Sequence, residues 1–247
     1  MRKNYHFTIS YDGSRYYGWE HQPGIELTVQ GKIESVLKEM TGQDVEVISS
    51  GRTDAGVHAL GQSAHAHMET TMGLEEILEY MNHYLPDDIC ILSAAEVADR
   101  FHARYNAVRK TYRYTCYIGR LKPVFDRKYC ITLDTVPDLS AMEAAAADLI
   151  GEHDFASFCG NVRMKKSTVR RIESIQIHMD GDYLTFTYTG NGFLQYMVRI
   201  LTGTLLEVGL GKRPADSMPQ LLAAKKRSEA GYTVPAKGLA LVSVEYK

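Results

Sequence analysis

The sequence predicts an α+β protein of two ferredoxin-like (split βαβ) halves with antiparallel sheets and a basic central cleft. Three observations predict it. Residues 1–97 read in the order strand, helix, strand, strand, helix, strand. The remainder reads as a looser variation on the same theme, and basic side chains are segregated from acidic ones along the chain. The expected domains are 1–103 and 104–247, joined near 98–108 without a low-complexity linker. That junction carries no Gly/Pro-rich break, so one sheet running through both halves is also compatible with the pattern.

In the first half, Tyr5, Phe7, Ile9 and Tyr11 alternate with smaller or polar residues, the period of a half-buried strand, before Asp12-Gly13 turns the chain. Val29, Ile33, Val36, Leu37 and Met40 fall at helical spacing and end at Gly42, a residue suited to a helix C-terminus. Val45 and Val47 start a second strand. Leu60, Gln62, Ala64, Ala66 and Met68 mark one face of a third, which leaves His65 and His67 pointing outward. Leu74, Ile77, Leu78 and Met81 form the next helix, stopped by Pro86, and residues 89–97 a fourth strand.

In the second half, residues 109–118 read as a strand with Tyr112 and Tyr114 on one face and Arg113 on the other. Ser140 and Glu143 form a capping box that opens an Ala-rich helix ending at Gly151. Residues 169–179 and 183–188 make a hairpin around Asp180-Gly181. Phe193, Met197, Ile200, Leu201, Leu205 and Val208 form a long amphipathic helix, and residues 241–246 a final strand.

Composition narrows the function. No apolar run reaches the length of a membrane span, and the N-terminal residues enter a strand pattern without an apolar signal region. The expectation is a cytoplasmic protein with no membrane partner. Cys90, Cys116, Cys130 and Cys159 are scattered and read as reduced thiols in or near the core. A formal net charge of -2 argues against a protein that coats nucleic acid indiscriminately. Yet Arg100, Arg104, Arg109, Lys110, Arg113, Arg120, Lys122, Arg127 and Lys128 run together with only Asp126 among them. A second basic run holds Arg163, Lys165, Lys166, Arg170 and Arg171. The two runs fit a groove for phosphates, or simply solvated faces with compensating charge elsewhere.

The segment with most chemical content is Gly51-Arg52-Thr53-Asp54-Ala55-Gly56-Val57-His58-Ala59. Two glycines bracket one carboxylate at a strand end, so Asp54 can stand out from a sharply turned loop. An Asp in such a turn more often only hydrogen-bonds its own loop. Residues His58, His65 and His67 lack an obvious further ligand, so no metal is expected.

GRTDAGVHA resembles the nucleophile motif of the tRNA pseudouridine synthase A (TruA) family. The likeness extends through YDGSRYYGW (11–19), VQGKIESVL (29–37), RFHARYNAVRKTYRY (100–114) and HDFASFCG (153–160). It continues in KKSTVRRI (165–172), GNGFLQYMVRILTGTLLEVGLGK (190–212) and PAKGLALVSVEY (235–246), in the family's order and almost end to end. The resemblance implies that Asp54 is the nucleophile, Arg199 the basic partner of that carboxylate, and Arg52 the arginine that helps extrude the target base. It implies that Tyr112 stacks on the uracil, and that Phe193 and Val198 line the pocket. It further implies a homodimer acting on tRNA at positions 38, 39 and 40 of the anticodon stem-loop, with no DNA substrate. A local departure is Glu20, where many relatives have glutamine.

The chemistry fits these roles. Pseudouridine formation breaks the C1′–N1 bond, turns the uracil and joins C5 to C1′, exchanging only protons. It needs a carboxylate near the ribose, a cation to keep it ionised and a face to hold the base, but no cofactor. Attack of Asp54 on C1′, addition to the base, and elimination to a glycal all remain open. A synthase for another RNA or tRNA position is the first rival, and a non-catalytic RNA-binding module the second.

Overall fold

In a computed structural model of the chain, residues 2–247 are described. The elements run β1 (Lys3–Tyr11), α1 (Val29–Thr41), β2 (Val47–Ser49), β3 (His58–Met68), α2 (Leu74–Tyr84) and β4 (Ile89–Val97). They continue with β5 (Ala107–Tyr117), β6 (Ile131–Thr132), α3 (Leu139–Ala147), β7 (Gly151–Asp154), β8 (Val169–Asp180) and β9 (Tyr183–Gly190). Last come α4 (Met197–Gly209), α5 (Met218–Ala224) and β10 (Leu239–Tyr246). The protein is thus α+β with a large open, mixed sheet. No helix among the described residues is long and apolar enough to cross a membrane.

The chain divides into two compact units at 108/109, and residues 240–247 return to the first. The expected second domain ran from 104 to 247; the difference lies chiefly in β10. It pairs in parallel with β3, Ala240 opposite His58 and Leu241 opposite Ala59.

In the first unit β1 lies between β4 and β3 and is antiparallel to both, Phe7 facing Ala64 on one side and Ala94 on the other. β2 pairs with the far part of β3. The alternation read in β1 has its cause in packing: Tyr5, Phe7, Ile9 and Tyr11 are all buried. Burying each side chain of this size is worth about 1.5–3 kcal/mol. Helix α1 starts at Thr28, whose Oγ1 accepts the Gly31 N–H at 3.2 Å. It ends at Gly42, whose left-handed backbone (φ 69°) returns its N–H to the Lys38 carbonyl. Its apolar stripe of Val29, Ile33, Val36 and Leu37 is buried.

The outward placement expected for His65 does not hold. His65 is 2% exposed, whereas Leu60, expected on the apolar face, is 45% exposed. Both faces of β3 are covered from Gly61 to Ala66. The His65 ring lies 4.8 Å from that of His102 and 6.0 Å from Phe101, and its Nδ1 accepts the Ala103 N–H at 3.1 Å. The irregular segment after β4 therefore folds over a face that alternation alone assigns to solvent.

In the second unit the strand order is β5-β9-β8-β7, all antiparallel, with β6 parallel to β5. The hairpin β8–β9 turns at Gly181-Asp182, one residue beyond the expected position. Helices α3 and α4 pack together, and Met142, Ile200, Leu201 and Leu205 are fully buried. Two local expectations are corrected. Helix α3 is capped by Asp138 and not by Ser140: Asp138 Oδ1 accepts the Ala141 N–H at 3.1 Å and the Ser140 hydroxyl at 2.6 Å. The charged acceptor two residues earlier outcompetes the hydroxyl. Helix α4 begins at Met197, because Tyr196 adopts a left-handed backbone (φ 60°) that leaves Phe193 in the preceding loop. Cys116, Cys130 and Cys159 are buried free thiols, while Cys90 is exposed.

Candidate active site

The loop bearing Asp54 joins β2 to β3 and is held by three layers of hydrogen bonds. From β3, fully buried Gln62 accepts from the Ser50 hydroxyl at 2.9 Å and donates to the Gly51 carbonyl at 2.9 Å. From β1, the Tyr11 hydroxyl meets Thr53 Oγ1 at 2.7 Å. Burial pushes the Tyr11 phenol up to about 12, so it stays protonated and serves as a hydrogen-bonding strut. From the segment 12–19, the Trp19 N–H donates to the Thr53 carbonyl at 3.1 Å and the Gly56 N–H to the Tyr16 carbonyl at 3.3 Å. The Val57 N–H closes the turn on the Asp54 carbonyl at 3.1 Å.

This arrangement explains the Gly18 in YDGSRYYGW. Its φ is +101°, and a Cβ there would lie 2.9 Å from the Thr53 carbonyl oxygen. Two backbones therefore meet without a side chain between them, and Asp54 is set, half-buried, between buried Thr53 and exposed Ala55. Arg52 lies in the same loop, next to Thr53. It is exposed and forms an ion pair with Glu20. His58 is used structurally: its Nδ1 lies 3.0 Å from the Gly13 N and 3.2 Å from Asp12. Among the described residues no group of three or more His, Cys, Asp or Glu could hold a metal ion.

The other four expected residues lie in the second unit. Tyr112 sits on β5 opposite Tyr188 of β9, on the face whose next member, Tyr114, is fully buried. The Tyr112 ring itself remains half-buried and meets the edge of Phe193 at 5.2 Å and 81°. Such a pair contributes about 0.5–1.5 kcal/mol and fixes both rings. The loop carrying Phe193 is fastened to β8. The Asn191 N–H donates to the Arg171 carbonyl at 3.0 Å and its Oδ1 accepts the Arg171 N–H at 3.0 Å. Gly190 permits this: a Cβ there would stand 2.5 Å from the Arg171 carbonyl oxygen.

Arg199, on the first turn of α4, is held from two directions. Its Nε donates to the Val234 carbonyl at 2.8 Å, and its guanidinium stacks 4.9 Å above the Tyr196 ring. Val198 is 3% exposed and packs into the core. Tyr196 is a residue that sequence reasoning missed. Its left-handed backbone, of a kind that concentrates at functional sites, presents the ring to Arg199. The ring is backed by Gly160 of the HDFASFCG segment, where a side chain would collide with it. Nothing in the local sequence marks a tyrosine for that backbone.

A family model described as tRNA pseudouridine synthase matches residues 8–106 and 145–247. The chain is 42% identical over 243 residues to tRNA pseudouridine synthase A 2 of Bacillus anthracis, covering 98% of this chain and 99% of that protein. It is 42% identical to tRNA pseudouridine synthase A of Caldicellulosiruptor saccharolyticus over 99% of this chain and 100% of the relative. Against the Halalkalibacterium halodurans protein of that name it is 45% identical, over 94% and 88%. The sequence motifs, the fold that braces them and these likenesses place the chain in the tRNA pseudouridine synthase A family, isomerases that convert uridine in tRNA to pseudouridine.

Proposed function

We propose that the chain isomerises uridines 38, 39 and 40 of the tRNA anticodon stem-loop, in the cytoplasm, as a homodimer, with Asp54 as its nucleophile. The observation that carries this reading is the bracing of the Asp54 loop, in which three separate segments converge on the residues around one carboxylate. A turn whose Asp served only its own fold would need no such scaffold. The split βαβ character of the first unit is supported by its order β4-β1-β3 with β2 on β3. A second ferredoxin-like half and a basic cleft complete the proposed architecture.

In this reading the loosened uracil stacks on Tyr112, with Phe193 holding that ring at its edge and Val198 supporting the wall behind. Stacking returns about 1–3 kcal/mol toward the few kcal/mol needed to unstack the base. Arg52, exposed at the edge of the loop, reaches into the gap that the extruded base leaves. Arg199 serves as the basic group of the reaction, and the Val234 carbonyl and Tyr196 ring fix its guanidinium plane. The C1′–N1 bond breaks, the base turns, C5 joins C1′, and the C5 proton leaves while N1 regains one.

The test is tritium release from C5-labelled uridine in tRNA. Wild type should release label and Asp54→Asn should not, with tRNA binding retained. Release by both proteins would remove Asp54 from the role. Mapping of the products assigns the positions, and sedimentation as a monomer at working concentration would count against the dimer.

A further inference from the structure

We propose that Arg170 is a phosphate-binding residue of the substrate site, taking a tRNA backbone phosphate beside the base that stacks on Tyr112. The proposal rests on the Tyr112 reading given above and adds a residue to it. Arg170 lies near the start of β8, opposite His153 of β7. Its Nη1 donates to two carbonyls, those of Ser167 at 3.0 Å and Val169 at 2.6 Å. Those bonds aim the guanidinium but do not neutralise it, and no carboxylate among the described residues pairs with it. Three other cations of this unit have carboxylate partners: Arg109 with Glu173 at 2.6 Å, Arg213 with Glu207 at 2.9 Å and Lys225 with Asp154 at 2.8 Å.

Arg170 is also half-buried, and burial pushes its guanidinium below the ordinary arginine value. A partly desolvated charge without a counter-ion is unfavourable in the free protein and is relieved when an anion arrives. Its position selects the anion. The Arg170 side chain runs beside Gly192, its Nε and Cδ 3.8 and 3.9 Å from where a Gly192 side chain would begin. The next residue is Phe193, whose ring meets Tyr112. Cation, apolar edge and stacking ring therefore follow one another along one loop. The substrate is a tRNA, so any base laid on Tyr112 brings its own flanking phosphates. A planar fork of donors matches a phosphate's oxygens better than a point charge does.

The experiment uses the full chain and an unmodified tRNA transcript, with Arg170→Gln, Arg170→Lys and Tyr112→Ala compared to wild type. Binding is followed from about 50 to 200 mM salt, and turnover by tritium release. Arg170→Gln should make the slope of log affinity against log salt shallower by about 0.7–1 and raise KM about tenfold, with kcat changed less. Arg170→Lys should keep the wild-type slope and still raise KM severalfold, because charge is retained and the fork is lost. An unchanged slope and KM in Arg170→Gln would overturn the proposal. If that variant melts, a wild-type KM in Arg170→Lys overturns it equally. Loss of turnover in Tyr112→Ala with both Arg170 variants behaving as wild type would sink the Arg170 assignment alone. Wild-type behaviour of Tyr112→Ala would instead remove the stacking site on which it rests.

Discussion

Lowering the pH from 7.5 to 5 should destabilise the first unit through His65, and the size of the effect follows from the structure. The ring is 2% exposed, and burial, reinforced by His102 and His67, pushes it from its ordinary 6.5 down to about 4. The hydrogen bonding agrees: Nδ1 accepts the Ala103 N–H, so a proton there would face a donor. The depressed value means that the unfolded chain takes up the proton first. The folded state's advantage is complete above pH 6.5, declines as pH falls, and stops declining near pH 4. At pH 5 almost every unfolded chain is protonated at this position but only about one folded chain in ten, a loss of about 2 kcal/mol relative to pH 7.5. For a chain of this size that corresponds to a fall in melting temperature of about 4–8 °C. His6, whose half-buried ring is also pushed down by desolvation, contributes in the same direction, so wild type alone does not isolate His65. Urea unfolding of wild type and His65→Gln at both pH values does, since the amide oxygen of Gln can still accept from Ala103. The variant should start less stable but lose about 2 kcal/mol less on acidification. Equal losses in the two proteins, within about 0.5 kcal/mol, would refute the reasoning.

Two substitutions probe the scaffold and the arginine beside it. Gly18→Ala forces a side chain onto a residue at φ +101° and against the Thr53 carbonyl. It should cost about 1–3 kcal/mol in thermal unfolding and, by displacing the Asp54 loop, lower kcat about 100-fold with little change in KM. A fall in stability without a fall in kcat would show that the loop is positioned some other way. Glu20→Gln releases Arg52 from its exposed ion pair. Stability should change by less than about 0.5 kcal/mol while tRNA binding tightens about threefold at low salt. Weaker binding in a filter-retention assay would mean that Glu20 itself serves the substrate.

The regular elements were legible because their periodicity is set by the same burial that the structure displays. Tyr5, Phe7, Ile9 and Tyr11 in β1, and the stripe of α1 ending at Gly42, needed no tertiary information. The Asp54 loop was legible as a motif, but its support was not. Gln62 and Tyr11 reach it from separate strands, and side-chain bonds across 11 and 42 residues leave no local pattern. His65 was misplaced because alternation reports one sheet face and is silent about an irregular segment folding over the other. Helix α4 was begun too early because the apolar spacing from Phe193 is helical, while the turn at Tyr196 is imposed by its surroundings. The Asp138 cap lost to a stronger textual signal, Ser140 with Glu143, that the backbone does not use.

The parallel pairing of β10 with β3 bears on how the chain is made. Ser63 and Tyr246, whose hydroxyls meet at 2.5 Å, are separated by 183 residues, and the second unit lies between them as 109–239. Those 131 residues (239 − 109 + 1) take roughly 7–26 s to synthesise at the usual elongation rates. Over that interval β2 can already cover the far part of β3, but the half that leads out of the Asp54 loop has an open edge on that side. An unpaired edge is a template for wrong partners. The stretch of sheet that leads out of the Asp54 loop is therefore the last to be completed, and the nascent chain carries this exposed edge until its closing strand has left the ribosome.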